Sequence, residues 1–335
     1  MKPIVEVEGI NRAQFEADIR PLRQPAIFRG IGESWPAVVA ARESSDAAIH
    51  YLKRFSHLDA VNAIVGDPQI NGRFFYTSDM KALNFQRGKS PLGPFLDRLL
   101  HDRDIAQPYA MAVQSIAADE LLPGFAAENS CTLVDDSVVP RLWLGNAIRV
   151  AAHYDQMENI GVVVVGSRRF TLFPPDQISN LYMGPLELTP AGTPISLVDL
   201  AAPDFDRFPR FAAALAVAQV ATLSPGDAIY IPFHWWHAVD SLTAVNVFMN
   251  YWWNPAQKGM GNPYDTLLHA LFAIRTLPDD QRAVWQTMFE HLVFRTGGDP
   301  VAHLPNDVKG VLGPVDAQHA ALMRATLMHS LSAEA

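Results

Sequence analysis

Apolar and polar positions along the chain change rhythm twice. Up to about residue 108, strand-like and helix-like periods are mixed. IVEVEG and PAIFRG read as short strands, as do AVNAIVG and RFFYT. Asn11 stands where its side chain can accept from the first-turn N–H groups of a helix running to Ile19. SSDAAIHYLKRF reads as a second helix, with Ser44 or Ser45 as its cap, and PLGPFLDRLLHD as a third.

From Tyr109 the pattern turns to strands. YAMAVQS, RLWLGNAIRVAAHYD, NIGVVVV, RRFTLF, QVATL, AIYIP and AVNVFMNYWW are rich in β-branched and aromatic residues. They are separated by turn signals at Gly145-Asn146, Gly166-Ser167, Pro174-Pro175 and Ser224-Pro225-Gly226. Many short strands at this spacing predict a barrel or sandwich. Residues 176–218 form an insertion, with a short helix expected near DFDRFPRFAAAL. After Trp253, TLLHALFAIRTL, DQRAVWQTMFEHLVFRT and GPVDAQHAALMRATLMHSL carry apolar residues at helical spacing. Such appended helices either cap a core within the chain or join two chains as a homodimer, and the pattern leaves both open.

Composition narrows the class. A chain of 335 residues is near the size at which one core stops growing, so one main domain with helical additions is expected. The net charge of -9 argues against a general nucleic-acid binder, though a local basic patch is compatible with it. The single cysteine, Cys131, allows no intramolecular disulfide and is read as a small buried residue in a reducing compartment. No apolar stretch reaches membrane-spanning length and the first residues lack a signal-like run, so a cytoplasmic protein with no membrane partner is expected.

The candidate chemistry begins in AAHYDQMENIGVVVVG. His153 and Asp155 are two positions apart, and on an extended strand such positions share a face. One imidazole and one carboxylate supply two members of a facial triad, whose third is a histidine. SPGDAIYIPFHWWHAVDS offers two candidates for that third ligand, His234 and His237. Asp240 and Glu158 are further carboxylates without the strand spacing of Asp155. Trp235, Trp236, Trp252 and Trp253 either wall a site or fill the barrel.

Gly226, Pro232 and His237 fall where the second cupin motif has a glycine, a proline and a metal-binding histidine, and His234 stands where that motif usually has glycine. With HYD, Asn159, TLFPPDQISNLY, DFDRFPRF, PGDAIYIPFHWWHAVDSL and FMNYWW, the run from about Tyr109 to Pro255 resembles the cupin-like branch of the Jumonji-C oxygenases, in particular its asparaginyl hydroxylases. The resemblance implies a mainly β fold. A double-stranded β-helix, or jelly-roll, would occupy 109–255, with an N-terminal α/β extension over 1–108 and a helical region over 256–335. It implies Fe(II) held by His153, Asp155 and His237, and 2-oxoglutarate as co-substrate near Tyr109, Asn159, Arg168 and Asn250. It also implies hydroxylation of a protein or peptide side chain with release of succinate and CO2. Two positions depart from the family: Arg168 stands where a lysine holds the distal carboxylate, and Val150 where a threonine hydroxyl is common. Arginine keeps the charge but has a longer, planar fork. A metal-holding regulatory module without turnover, a small-molecule oxygenase and a cupin enzyme with another metal remain rival readings.

Overall fold

The structure, a computed structural model, describes residues 1–56, 60–256 and 260–333. Eight strands form its centre: β1 (Pro140–Gly145), β2 (Arg149–His153), β3 (Glu158–Val165), β4 (Arg168–Phe173), β5 (Gln219–Leu223), β6 (Ala228–Ile231), β7 (Trp236–Ser241) and β8 (Asn246–Trp253). They pair antiparallel in two facing blocks, ordered β5-β4-β7-β2 and β6-β3-β8-β1. Successive strands pass from one block to the other, except at β4–β5, which the insertion joins within one block. This is the double-stranded β-helix that the resemblance implies.

N-terminal strands widen both blocks. Lys2–Pro3 lies beside β5 and Arg73–Phe74 beside β2. Val5–Val7 and Ala26–Phe28 extend the β6 side of the other block, and Ala110–Ala117, Val61–Gly66 and Phe85–Ser90 extend its β1 side. Phe85–Ser90 is the last strand of that sheet and is exposed over most of its length. Its sequence, FQRGKS, has no apolar alternation, which is why the hydrophobic pattern does not reveal it. RFFYT is strand only at Arg73–Phe74, and Pro36–Glu43 is a helix beyond those expected, with Pro36 at its first turn.

The four-valine run illustrates the layering. Val163 faces the space between the blocks with Phe170, Leu172, Ile229 and Phe248. Val162 and Val164 face outward, yet are buried against Trp35, Val38, Leu52 and Leu96 of the N-terminal helices. A strand covered on both faces reads as continuously apolar. On the other block the insertion does the covering: Phe211, from the helix Phe211–Val217, packs with Phe173, Trp236 and Ala238. Asn11 caps its helix through a reciprocal pair with Gln14, although the next turn widens to a π-helical form over Phe15–Ile19. Cys131 is buried, and burial pushes its thiol up to about 11, in keeping with a packing role.

The chain divides into two compact units, Met1–Asn254 and Pro255–Ala335. The second contains the helices Pro263–Ala273, Asp279–Leu292 and Ala317–Ala333, and no residue of its first two helices is buried. Among the described residues, no helix is long and apolar enough to cross a membrane.

One packing constraint reaches toward the interior cavity. A Cβ added at Gly161 on β3 would lie 2.0 Å from the Phe248 ring. Gly161→Ala is expected to lower stability by about 1–3 kcal/mol, because the ring must leave its rotamer. A urea denaturation midpoint equal to that of the parent chain would contradict this.

Candidate metal centre

β2 and β7 pair so that His153 stands directly opposite His237. The two rings lie 4.3 Å apart between centroids. Asp155 follows just beyond the end of β2, and its carboxylate Oδ2 is 3.5 Å from His237 Nε2. One ligand atom from each of the three residues fits within 4.8 Å of the others. Each imidazole has its other nitrogen engaged: His153 Nδ1 donates to the Ala151 carbonyl (2.9 Å) and His237 Nδ1 to the Trp235 carbonyl (3.0 Å). That leaves both Nε2 atoms free for a metal, and such backbone partners fix ring orientation. Burial, aided by the nearby His237, lowers the His153 pKa and so favours the neutral ring, the form that can ligate a metal.

The Asp155 carboxylate is held by a chain of polar side chains. Its Oδ2 accepts from the Trp252 indole (3.2 Å) and from Asn159 Nδ2 (3.4 Å). The Asn159 carbonyl accepts from Asn250 Nδ2 (3.1 Å), and the Asn250 carbonyl accepts from the Trp143 indole (2.7 Å). Alternation along β1, β3 and β8 puts all four donors on the inner face. The insertion closes one side, where Ile195 bridges the backbone of His153.

The triad opens into a cavity of about 310 Å³ between the two blocks. Arg168, the first residue of β4, lines it and is only 8% exposed. Its Nε has no hydrogen-bond partner, its guanidinium carbon lies 4.8 Å from the centre of the Phe248 ring, and among the described residues it forms no ion pair. Burial pulls its pKa down to about 9, still above neutrality, so a positive charge is stored in the wall without a counter-ion. A buried cation of this kind calls for an anionic ligand.

The sequence pattern of the Cupin-like domain family matches residues 12–259. The chain belongs to this family. It is 25% identical to lysine-specific demethylase JMJ31 of Arabidopsis thaliana over 276 residues, which are 73% of this chain and 48% of that protein. It is 36% identical to human HSPB1-associated protein 1 over 115 residues, 33% of this chain and 22% of that protein. It is 24% identical to tRNA wybutosine-synthesizing protein 5 of Gallus gallus over 274 residues, 75% of this chain and 79% of that protein. The chain thus spans about half, or less, of the first two relatives. The kinship with Jumonji-C proteins implied by the motifs is borne out by these matches.

Within the cupin-like fold, the expected site residues separate clearly. His153, Asp155, Asn159, Arg168, His237 and Asn250 all line the cavity. Tyr109 does not: the residue is 47% exposed, and its backbone carbonyl accepts from Asn146. The reason is alternation. Tyr109 precedes Met111 and Val113, which point into the outer core, whereas Ala112 faces the other way, toward Ile64 and Phe74. His234 is not part of the triad. It holds a left-handed backbone (φ 59°), stacks on Tyr154 and donates its N–H to the Asp155 carbonyl (3.1 Å).

The remaining carboxylates and tryptophans are also placed. Glu158 accepts from the Tyr230 hydroxyl, and Asp240 pairs with Arg169. Trp235 and Trp236 fill the core, Trp253 packs against the outer core beside Phe15, and Trp252 walls the site. Trp143 was not anticipated, although its spacing from Leu142 and Leu144, both in the outer core, marks it as inward-facing.

The donor set fits a hard-to-borderline divalent ion with open coordination positions, such as Fe(II). Asp155→Ala is expected to abolish Fe(II) binding with the fold retained. Trp252→Phe, which removes one donor to the carboxylate, should weaken it by about 10–100-fold. Calorimetric titration showing parental affinity in Asp155→Ala would exclude the triad.

Proposed function

We propose that this chain is an Fe(II)- and 2-oxoglutarate-dependent dioxygenase that hydroxylates a protein or peptide side chain. The observation that carries this reading is the unpaired, buried Arg168 in the wall of the cavity that the His153–Asp155–His237 group faces. Leu172, which pairs with His237, and Arg168 are four residues apart on β4, about 13 Å along a strand. An arginine side chain and a five-carbon diacid together suit that span.

When bound, iron(II) supplies the oxidation of 2-oxoglutarate by dioxygen to succinate and CO2, coupled to insertion of an oxygen atom into the substrate. The protein's part is positioning. Arg168 takes the distal carboxylate, a role that its fork can fill with two hydrogen bonds. Val150 and Val239 pair across β2 and β7 on the cavity wall, so this part of the pocket is apolar and Arg168 supplies the anion recognition. Asn159 and Asn250 orient the Asp155 side, and Trp143 and Trp252 limit water at the ligands. A cytoplasmic setting accords with the reduced, buried Cys131.

We further propose that the helical unit joins two chains. Phe272, Trp285, Phe294, Leu322, Leu327 and Met328 are all exposed. Large apolar side chains gathered in one small unit exceed what a solvated surface ordinarily carries. A second copy of the same helices would cover them in a symmetric contact.

Anaerobic addition of Fe(II) and 2-oxoglutarate should produce a visible charge-transfer absorbance band. Arg168→Gln should raise the 2-oxoglutarate concentration needed for it about 100-fold or more while leaving iron affinity unchanged. Metal binding without any band would instead favour a non-catalytic metal-holding module. Sedimentation equilibrium should report a dimer that Leu327→Glu with Met328→Glu converts to monomer. A monomeric parent chain would remove the pairing proposal.

A further inference from the structure

Among the described residues, Arg87 is the one charged side chain of the cavity wall that neither the triad nor the proposed co-substrate uses. It lies on the edge strand Phe85–Ser90, opposite Ile64, which in turn pairs with Ala112. Lys89, two residues on, shares its face and pairs with Asn62. Lys89 and Asn62 line a second hollow of about 350 Å³, together with Glu120. The two hollows adjoin, because Gln114 and Ser115 line both.

The junction is built with backbone strain. Ser115 has a left-handed backbone (φ 53°), uncommon for a residue with a side chain. It sits where the register between Ala110–Ala117 and β1 shifts. Arg141 clamps it, donating from Nε to the Ser115 hydroxyl (2.7 Å) and from Nη2 to the Ser115 carbonyl (2.5 Å). Bulges of this kind re-aim side chains beside active sites, and held strain is a sign of a functional constraint.

Neither Arg87 nor Lys89 forms an ion pair among the described residues, and Arg87 only stacks over Phe85. Gly88 between them has open space above it, and their strand ends its sheet, so its outer backbone is unpaired. Two cations on alternate residues of a strand are about 7 Å apart, which matches alternate side chains of another extended chain.

We propose that the primary substrate is an extended polypeptide segment carrying carboxylates on alternate residues, held by Arg87 and Lys89 while a neighbouring residue enters the metal cavity. This rests on the oxygenase reading of that cavity. Glu120 in the second hollow and the net charge of -9 oppose a continuous phosphate chain, whereas spaced carboxylates can avoid Glu120.

The test is fluorescence anisotropy with the full-length protein and three fluorescein-labelled peptide pools, bearing Glu-x-Glu, Gln-x-Gln or Lys-x-Lys in otherwise random sequence, plus a single-stranded RNA of matched length. The Glu-x-Glu pool should bind about tenfold more tightly than the Gln-x-Gln pool at low salt, with the difference shrinking as salt is raised. Arg87→Glu with Lys89→Glu should reverse the preference toward Lys-x-Lys, and Arg87→Gln with Lys89→Gln should abolish it, folding being checked by circular dichroism. Equal binding of the Glu and Gln pools, or tighter binding of the RNA than of the Glu pool, would overturn the proposal. No turnover is read, so failure of the iron and 2-oxoglutarate absorbance test would sink the oxygenase reading while leaving this result to stand.

Discussion

The site depends on the register of β2 against β7. Only one alignment sets His153 opposite His237 on the inner face, and a slip of one residue would turn an imidazole outward. The outer face resists such a slip. Ala152, Trp236 and Ala238 are buried there against Phe173 and Phe211, and reversing the strand would expose them while burying the histidines in an apolar layer. β4 adds a second restraint, since its six residues from Arg168 to Phe173 pair in step with β7 from Ser241 back to Trp236. The same pairing therefore fixes the triad at one end of β4 and the cavity arginine at the other.

The electrostatics of the cavity are asymmetric in a useful way. The His153–Asp155–His237 end is arranged to hold a cation, with one carboxylate and two imidazoles. The Arg168 end already holds a cation, and its burial is unfavourable until an anion arrives. A ligand with a negative charge at each end would complement both, one end facing Arg168 and the other the side that could hold a cation. The desolvation of Arg168 thus favours an anionic small molecule over a neutral one.

Much of this could be read in the chain beforehand, and the reasons for the gaps are physical. The triad was legible because two residues on one strand and a histidine in a turn-strand-proline setting leave a local trace. β3, β6 and β8 were legible because they are buried almost throughout, which makes them nearly continuously apolar. The edge strand Phe85–Ser90 left no trace, being exposed on most of its length. Tyr109, set near the co-substrate by the family resemblance, stands outside the cavity because its alternation with Met111 and Val113 points it elsewhere. The choice between His234 and His237 turned on strand position: His237 lies within β7, whereas His234 precedes it and serves the loop that carries Asp155. The roles of Trp143 and Trp252 required the long-range pairing of β1, β3 and β8, which no short motif encodes.

The chain of donors from Trp143 through Asn250 and Asn159 to Asp155, joined by Trp252, has a thermodynamic consequence. Two indoles that face the cavity are also the outer members of the metal's hydrogen-bond network. Any molecule that displaces the Trp252 ring takes a donor away from Asp155, a member of the candidate metal group. By reciprocity, filling the metal site stabilises the inward pose of that ring and so alters how readily such a molecule enters. Occupancy of the cavity and affinity for the ion are therefore linked quantities rather than independent ones.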